Sequence, residues 1–201
     1  MYNEQYNQII IDEIKKYPEM LTKFSDINFL YLIKAIIKVE SDFNPKNITK
    51  EDNVNDYSTG LMQLRLATTR WLIDNYNITD TDLIAKLFDP SFNLYCGIKY
   101  IAYQSKYYNN IMDVIASYNA GTAIKHTEIK IDNKIYTDIY YNVKTEQFVK
   151  RIYNDITKTY VWQPISINNA EYILEKNYIN QDYVNTVMKY YTEQIKKKYP
   201  T

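Results

Sequence analysis

Apolar positions recur at helical spacing along most of this 201-residue chain. Tyr6 to Tyr17 predicts a first helix, stopped by Pro18. Asp26 to about Ser41 predicts a second, with Ser25 or Asp26 as N-cap. Residues 44–58 are polar, rich in Asn and Asp, and opened by Pro45, which reads as a loop. Helical spacing returns over Leu61 to Asn75 and Thr81 to Leu87. Pro90 suits the first turn of a helix capped by Asp89 and running to about Tyr107. A shorter helix covers Ile111 to Tyr118 and ends at Gly121. The period then changes: Glu128 to Ile131 and Lys134 to Thr137 alternate about Asp132-Asn133, which predicts a β-hairpin over 128–137. Thr145 to Thr159 reads as helix again, and Pro164 with the Ser and Asn residues after it marks a junction. Two helices follow, at about 169–177 and 181–198. In the last, Val184, Val187, Met188, Tyr191 and Ile195 form one apolar stripe, and Lys196, Lys197 and Lys198 complement the dipole at its end. The expected architecture is mainly α, with one domain over 1–163 that includes the hairpin. A helical extension over 164–201 packs on it.

Composition narrows the function classes. Apolar residues at 46% and charged residues at 24% describe a folded globular chain, and three Gly with five Pro exclude collagen-like sequence. One Cys excludes an internal disulfide, and one Cys beside one His leaves no Cys/His metal cluster, so neither metal nor cofactor is expected. The 24 basic residues are balanced by 24 acidic ones, which argues against a nucleic-acid binder. Tyr is abundant at 23 residues and Arg scarce (Arg65, Arg70, Arg151), a bias expected of A+T-rich coding. Tyr also suits sugar stacking, which abundance alone does not establish. Charged residues interrupt the apolar run at Ile9 to Ile11, so no signal peptide is read at the start. Phe29 to Val39 contains Lys34 and Lys38 and is too short to span a bilayer, so no membrane insertion is expected.

One residue breaks the pattern. Phe29, Ile33, Ile36 and Ile37 share a face of the second helix. Glu40 lies seven positions past Ile33 and, at about 100° per residue, falls about 20° from the same direction. Desolvation at such a place raises a carboxyl's pKa, and a carboxyl protonated near neutral pH is what a general acid needs. The ordinary alternative is a Glu in a last turn that reaches solvent or pairs with a Lys.

The surrounding residues weigh on that choice. Glu40-Ser41-Asp42-Phe43-Asn44-Pro45 is followed by Ser58-Thr59-Gly60-Leu61-Met62-Gln63-Leu64. Asp89-Pro90, Asn93, Gly97 and Tyr100 come next, then Ala116-Ser117-Tyr118-Asn119-Ala120-Gly121. This ordered set, over about residues 25–155, resembles the soluble lytic transglycosylase family of the lysozyme-like superfamily. The resemblance implies a lysozyme-like helical fold and cleavage of peptidoglycan between N-acetylmuramic acid and N-acetylglucosamine. It implies that Glu40 protonates the glycosidic oxygen. The substrate's 2-acetamido group then stabilises the cationic centre, and the sugar's 6-hydroxyl closes a 1,6-anhydro ring. The implied substrate-binding residues are Ser41, Ser58, Gly60, Gln63, Tyr118 and Asn119. Gly60 is equally an ordinary turn glycine and Gln63 equally a link between loop and helix. Ser41 and Ser58 either hydrogen-bond near the acid or cap helices, with capping the reading for Ser58. Met62 reads as core.

Three positions, in two places, depart from the family pattern. Arg65-Leu66 stand where Met-Pro is common, and a basic residue there meets a substrate carboxylate or is simply solvated. The family's second acidic residue maps to Lys144. A goose-type-like hydrolase is the second reading, with Asp42, Asp52 or Asp56 to hold a water. A structural or binding module of a larger assembly is the third. The implied partner is the glycan strand, and the C-terminal helices offer docking for a phage or secretion assembly. Without a signal, delivery to the cell wall is expected through phage lysis, a virion, or a chain that has lost its leader. His126 reads as a surface residue, Cys96 as buried and inert, and Trp71 and Trp162 as packing rather than sugar platforms.

Overall fold

The first helix ends at Ile14, short of the expected stop at Pro18, and Pro18 instead begins another. In the computed structural model, which describes residues 3–52, 54–131, 134–155, 159–167 and 171–198, α1 (Asn7–Ile14) is followed by α2 (Pro18–Lys23). Proline is suited to that first position because its missing N–H would have no intrahelical partner there. Next comes α3 (Phe29–Ser41), capped not by Ser25 or Asp26 but by Asn28, whose Oδ1 accepts from the Tyr31 N–H at 3.3 Å. Phe29, Leu32, Ile33, Ala35, Ile36 and Ile37 are all at most 2% exposed. A helix apolar on so many sides is one that other elements surround.

Residues 44–58 hold more than a loop. There β1 (Ile48–Glu51) and β2 (Asp56–Thr59) pair antiparallel, and β3 (Leu64–Arg65) adds to β2, giving the order β1-β2-β3. The helix expected from Leu61 starts only at Leu66, as α4 (Leu66–Ile73). The delay has a local cause: residues 60–63 form a turn with Gly60 at φ 80° and Gln63 at φ 44°. After α5 (Asp80–Leu87), α6 (Pro90–Ser105) begins as expected, with Asp89 Oδ1 accepting from the Phe92 N–H at 2.8 Å. These elements and the chain from Asn185 onward make the first of two units.

Cys96 is fully buried in α6, and desolvation pushes its thiol up to about 12. The unfolded thiol, near about 8.5, ionises appreciably at pH 8. Native protein is therefore expected to resist a disulfide reagent at pH 8, and unfolding in urea to release one reactive thiol.

The second unit, Tyr107–Val184, opens with α7 (Ile111–Ala120), ended by Gly121 at φ 80°. Six strands follow: β4 (Ile124–Ile131), β5 (Lys134–Tyr136), β6 (Ile139–Asn142), β7 (Gln147–Asn154), β8 (Thr159–Pro164) and β9 (Glu171–Tyr178). They are antiparallel in the order β5-β4-β6-β7-β8, with β9 also paired to β4. The expected hairpin is β4 with β5, in register at Ile131↔Lys134. Its turn residues Asp132 and Asn133 lie outside the described residues, as do 156–158, 169 and 170. Tyr178 fastens α7 to the sheet: its hydroxyl donates to Asp113 Oδ1 at 2.5 Å, and Lys125 Nζ lies 3.3 Å from the same oxygen. Burial and that carboxylate raise the Tyr178 pKa.

The sheet corrects two expectations. The helices read at 145–159 and 169–177 are β7 and β9. Phe148 and Ile152, or Val149 and Tyr153, fit a helical step as well as they fit a strand, so spacing alone could not decide. Pairing of β7 with both β6 and β8, and of β9 with β4, decides it. The C-terminal extension is therefore helical only from α8 (Gln181–Lys198). The expected stripe on α8 holds, with Val184 and Val187 fully buried and Tyr191 7% exposed. Within the first unit, Tyr191 Oη accepts from the Asn28 N–H at 3.1 Å and Gln194 Nε2 donates to the Tyr31 carbonyl at 2.9 Å. The chain is rich in helix, as expected, but its sheet content is far more than one small hairpin.

Candidate functional site

Glu40 occupies the last turn of α3 and is half-buried. Asp42 then caps the helix in the left-handed conformation at φ 51°, and Phe43 follows at φ 64°. The chain thus turns sharply away within three residues of the carboxyl. Two left-handed non-glycine residues in succession are costly and persist only where their surroundings hold them.

Those surroundings are the turn at 60–63. Ser41 Oγ, buried, donates to the Leu61 carbonyl at 2.7 Å. Asn47 Nδ2 donates to the Glu40 carbonyl at 3.3 Å, and the Asn47 carbonyl accepts the Gly60 N–H at 2.8 Å. Gln63 Nε2 donates to the carbonyls of Asn47 (3.1 Å) and Gly60 (2.9 Å), while its Oε1 accepts from Thr49 Oγ1 at 3.0 Å. The end of α3 and the 60–63 turn are therefore one hydrogen-bonded assembly. In it Ser41 and Gln63 act as links.

Asn93, fully buried in α6, supports this turn from behind. Its Oδ1 accepts from the Met62 N–H at 2.9 Å, and its Nδ2 donates to the carbonyls of Thr59 (2.9 Å) and Leu87 (3.0 Å). A Cβ on Gly60 would lie 2.1 Å from Asn93 Nδ2 and 2.4 Å from the Leu87 oxygen, so only glycine fits. Gly97 in turn makes room for Met62, whose Sδ would lie 2.2 Å from a Cβ there. Asn47 and Thr49 were hidden in the sequence because residues 44–58 read as loop. Asn93 was visible as a motif residue, but its clamp on Gly60 was not.

Ser58 caps no helix. It lies in β2 and its Oγ donates to Glu51 Oε1 on β1 at 2.7 Å. Arg65 finds a partner within the protein: its Nε lies 3.1 Å from Asp56 Oδ2, and the buried Asp56 also accepts the N–H groups of Tyr57 and Ala67. The other two aspartates weighed for holding a water are paired as well. Asp42 pairs with Lys38, and Asp52 with Lys50 at 2.9 Å. Each carboxylate holds its lysine above the ordinary range, chiefly through the hydrogen bond between them.

Tyr118 and Asn119 lie on α7 in the second unit, Tyr118 buried and Asn119 exposed. Asn180 Nδ2 donates to Asn119 Oδ1 and to the Ala116 carbonyl, both at 3.0 Å, which ties the end of α7 to the segment after β9. Lys144 lies in the turn between β6 and β7, where its Nζ sits 3.7 Å from the Tyr107 ring centroid. His126 is half-buried in β4, its ring 5.3 Å from that of Tyr140. Among the described residues no group of three or more His, Cys, Asp and Glu side chains could hold a metal ion. No described helix is long and apolar enough to cross a membrane.

Comparison with known proteins places this geometry in context. The transglycosylase SLT domain family model matches residues 28–140. Among solved structures, the 70 kDa soluble lytic transglycosylase SLT70 from Escherichia coli is 28% identical with a TM-score of 0.40. That match covers 60% of this chain and 17% of SLT70. The wild-type form 2 of Bd0314 DslA is 20% identical with a TM-score of 0.39. Here 49% of this chain is covered and 65% of DslA, so the chain spans less than two thirds of that relative's length. No curated protein matches the chain.

Proposed function

Because the chain belongs to the transglycosylase SLT domain family, we propose that it is a peptidoglycan lytic transglycosylase with Glu40 as its single acid and base. The observation that carries this reading is the fastening of the Glu40 turn to the 60–63 turn through Ser41, Asn47 and Gln63. A carboxyl held on a rigid helix end, half-buried beside an apolar face, suits proton transfer at one fixed position.

In the reaction, Glu40 donates its proton to the oxygen that links N-acetylmuramic acid to N-acetylglucosamine. The bond from that oxygen to the muramyl C1 breaks, and N-acetylglucosamine leaves with a hydroxyl. The carbonyl oxygen of the muramyl 2-acetamido group shares the positive charge at C1. Glu40, now a carboxylate, takes the proton of the C6 hydroxyl as its oxygen bonds to C1. The product is a 1,6-anhydro sugar, no water is consumed, and Glu40 ends protonated as it began. One carboxyl suffices where most glycosidases need two.

The three aspartates weighed for a hydrolase each engage a cation: Asp42 with Lys38, Asp52 with Lys50 and Asp56 with Arg65. The pairing of Arg65 with Asp56 also gives that departure from the family pattern a structural role and removes one motive for reading the chain as an inactive module. Gly60 and Gln63, in the same unit as Glu40, shape the wall beside the acid.

Mass spectrometry of soluble products from purified sacculi tests the proposal. Muropeptides ending in 1,6-anhydro-muramic acid are expected. Reducing muramyl ends would assign a hydrolase instead.

A further inference from the structure

The second unit carries aromatic residues on one side of its sheet that the proposed reaction does not use. Register places them together. His126 on β4 is opposite Tyr140 on β6, and Tyr140 is opposite Val149 on β7. On β7 and β8, Arg151 is opposite Trp162 and Tyr153 is opposite Tyr160. Side chains two residues apart on a strand share a face, so all of these lie on the same side.

They touch in sequence across the strands. The His126 and Tyr140 ring centroids are 5.3 Å apart, those of Tyr140 and Trp162 5.1 Å, and those of Tyr153 and Tyr160 5.2 Å. The Tyr140–Trp162 contact crosses β7 over Val149, which is 2% exposed. The guanidinium of Arg151 lies 4.4 Å from the Tyr160 ring centroid. Tyr153 is 47% exposed and Tyr160 60%. Arg151 is exposed too, and no ion pair joins it to a carboxylate among the described residues.

Two exposed tyrosines that continue a row of half-buried rings, beside a guanidinium with no carboxylate partner among the described residues, need a reason, because packing does not require their exposure. Tyr and Trp offer an apolar ring for the C–H face of a pyranose and a polar tip for its hydroxyls. Same-face residues on a strand are spaced by about 6.7 Å, comparable to one sugar ring. A guanidinium held by stacking is preorganised for bidentate capture of a carboxylate. A phosphate backbone would call for several cations along its track, where this row has one guanidinium. We propose that His126, Tyr140, Trp162, Arg151, Tyr160 and Tyr153 form a second glycan-binding surface that takes a carboxylate-bearing polysaccharide strand. The identity of the strand as peptidoglycan rests on the function proposed above; the surface itself does not. Most of it lies past residue 140, where the family match ends.

The test is co-sedimentation of the full chain with purified sacculi. Tyr153→Ser combined with Tyr160→Ser is expected to weaken binding about tenfold, the loss of one shared stacking anchor. Arg151→Gln is expected to weaken it several-fold and to flatten its salt dependence. Both changes are at exposed positions, and unchanged thermal unfolding verifies the fold. On soluble chitin oligosaccharides, which lack carboxylates, the tyrosine variant is expected to lose affinity and the arginine variant to keep it. Sacculus binding equal to wild type in both variants overturns the proposal, and is the outcome a protein-docking surface would give. Tyrosine-dependent binding in a chain that cleaves nothing would overturn the Glu40 reading and leave this one standing.

Discussion

Glu40→Gln is expected to lower the release of soluble muropeptides by about 10²- to 10⁴-fold, the usual contribution of a positioned general acid. Gln keeps the size and hydrogen-bonding reach of the side chain but has no proton to give at neutral pH. Glu40 is half-buried and stands on a helix whose stability comes from Phe29, Leu32, Ile33, Ile36 and Ile37. The variant is therefore expected to stay folded. Undiminished cleavage by a folded Glu40→Gln chain would remove Glu40 from the mechanism. Loss of cleavage together with loss of folding would make it a structural residue, so thermal unfolding must accompany the assay.

Gly60→Ala is expected to be the most damaging small substitution in the first unit. The new methyl group would meet Asn93 Nδ2 at 2.1 Å and the Leu87 carbonyl oxygen at 2.4 Å, at a backbone φ of 80°. Asn93 cannot step aside without abandoning the Met62 N–H and the carbonyls of Thr59 and Leu87, all buried. Overlap, left-handed strain and lost hydrogen bonds together should cost about 3 kcal/mol or more. For a chain of this size that lowers Tm by roughly 10 °C. Gly97→Ala is the informative comparison. Its obstacle is the thioether of Met62, a flexible side chain rather than backbone, so a smaller loss is expected. Equal losses in the two variants, read by urea or thermal unfolding, would contradict this account of the turn.

The helical part of the fold was legible because its signals are local. Asp89-Pro90 announces the start of α6, Gly121 ends α7, and the α8 stripe reads directly from Val184, Val187 and Tyr191. Glu40 stood out for the same reason, as a carboxyl on an apolar helical face. What spacing could not reveal depends on distant partners. Residues 147–154 are strand because β6 and β8 flank them, and 171–178 because β4 does. The roles of Ser41, Asn47 and Gln63 were hidden likewise, since each is defined by a carbonyl 3 to 20 residues away. Trp162 reads as packing in the sequence. Only the register that sets Arg151 opposite it and Tyr140 within 5.1 Å makes it part of a row. Arg65 was ambiguous until Asp56 proved to be its partner.

The central claim is that one carboxyl completes the reaction without water. Digestion of sacculi in water enriched in oxygen-18, followed by mass spectrometry of the muramyl ends, tests it most directly. The account predicts anhydro ends that are free of solvent oxygen at every time point. Reducing ends carrying the heavy isotope from the earliest products would contradict it.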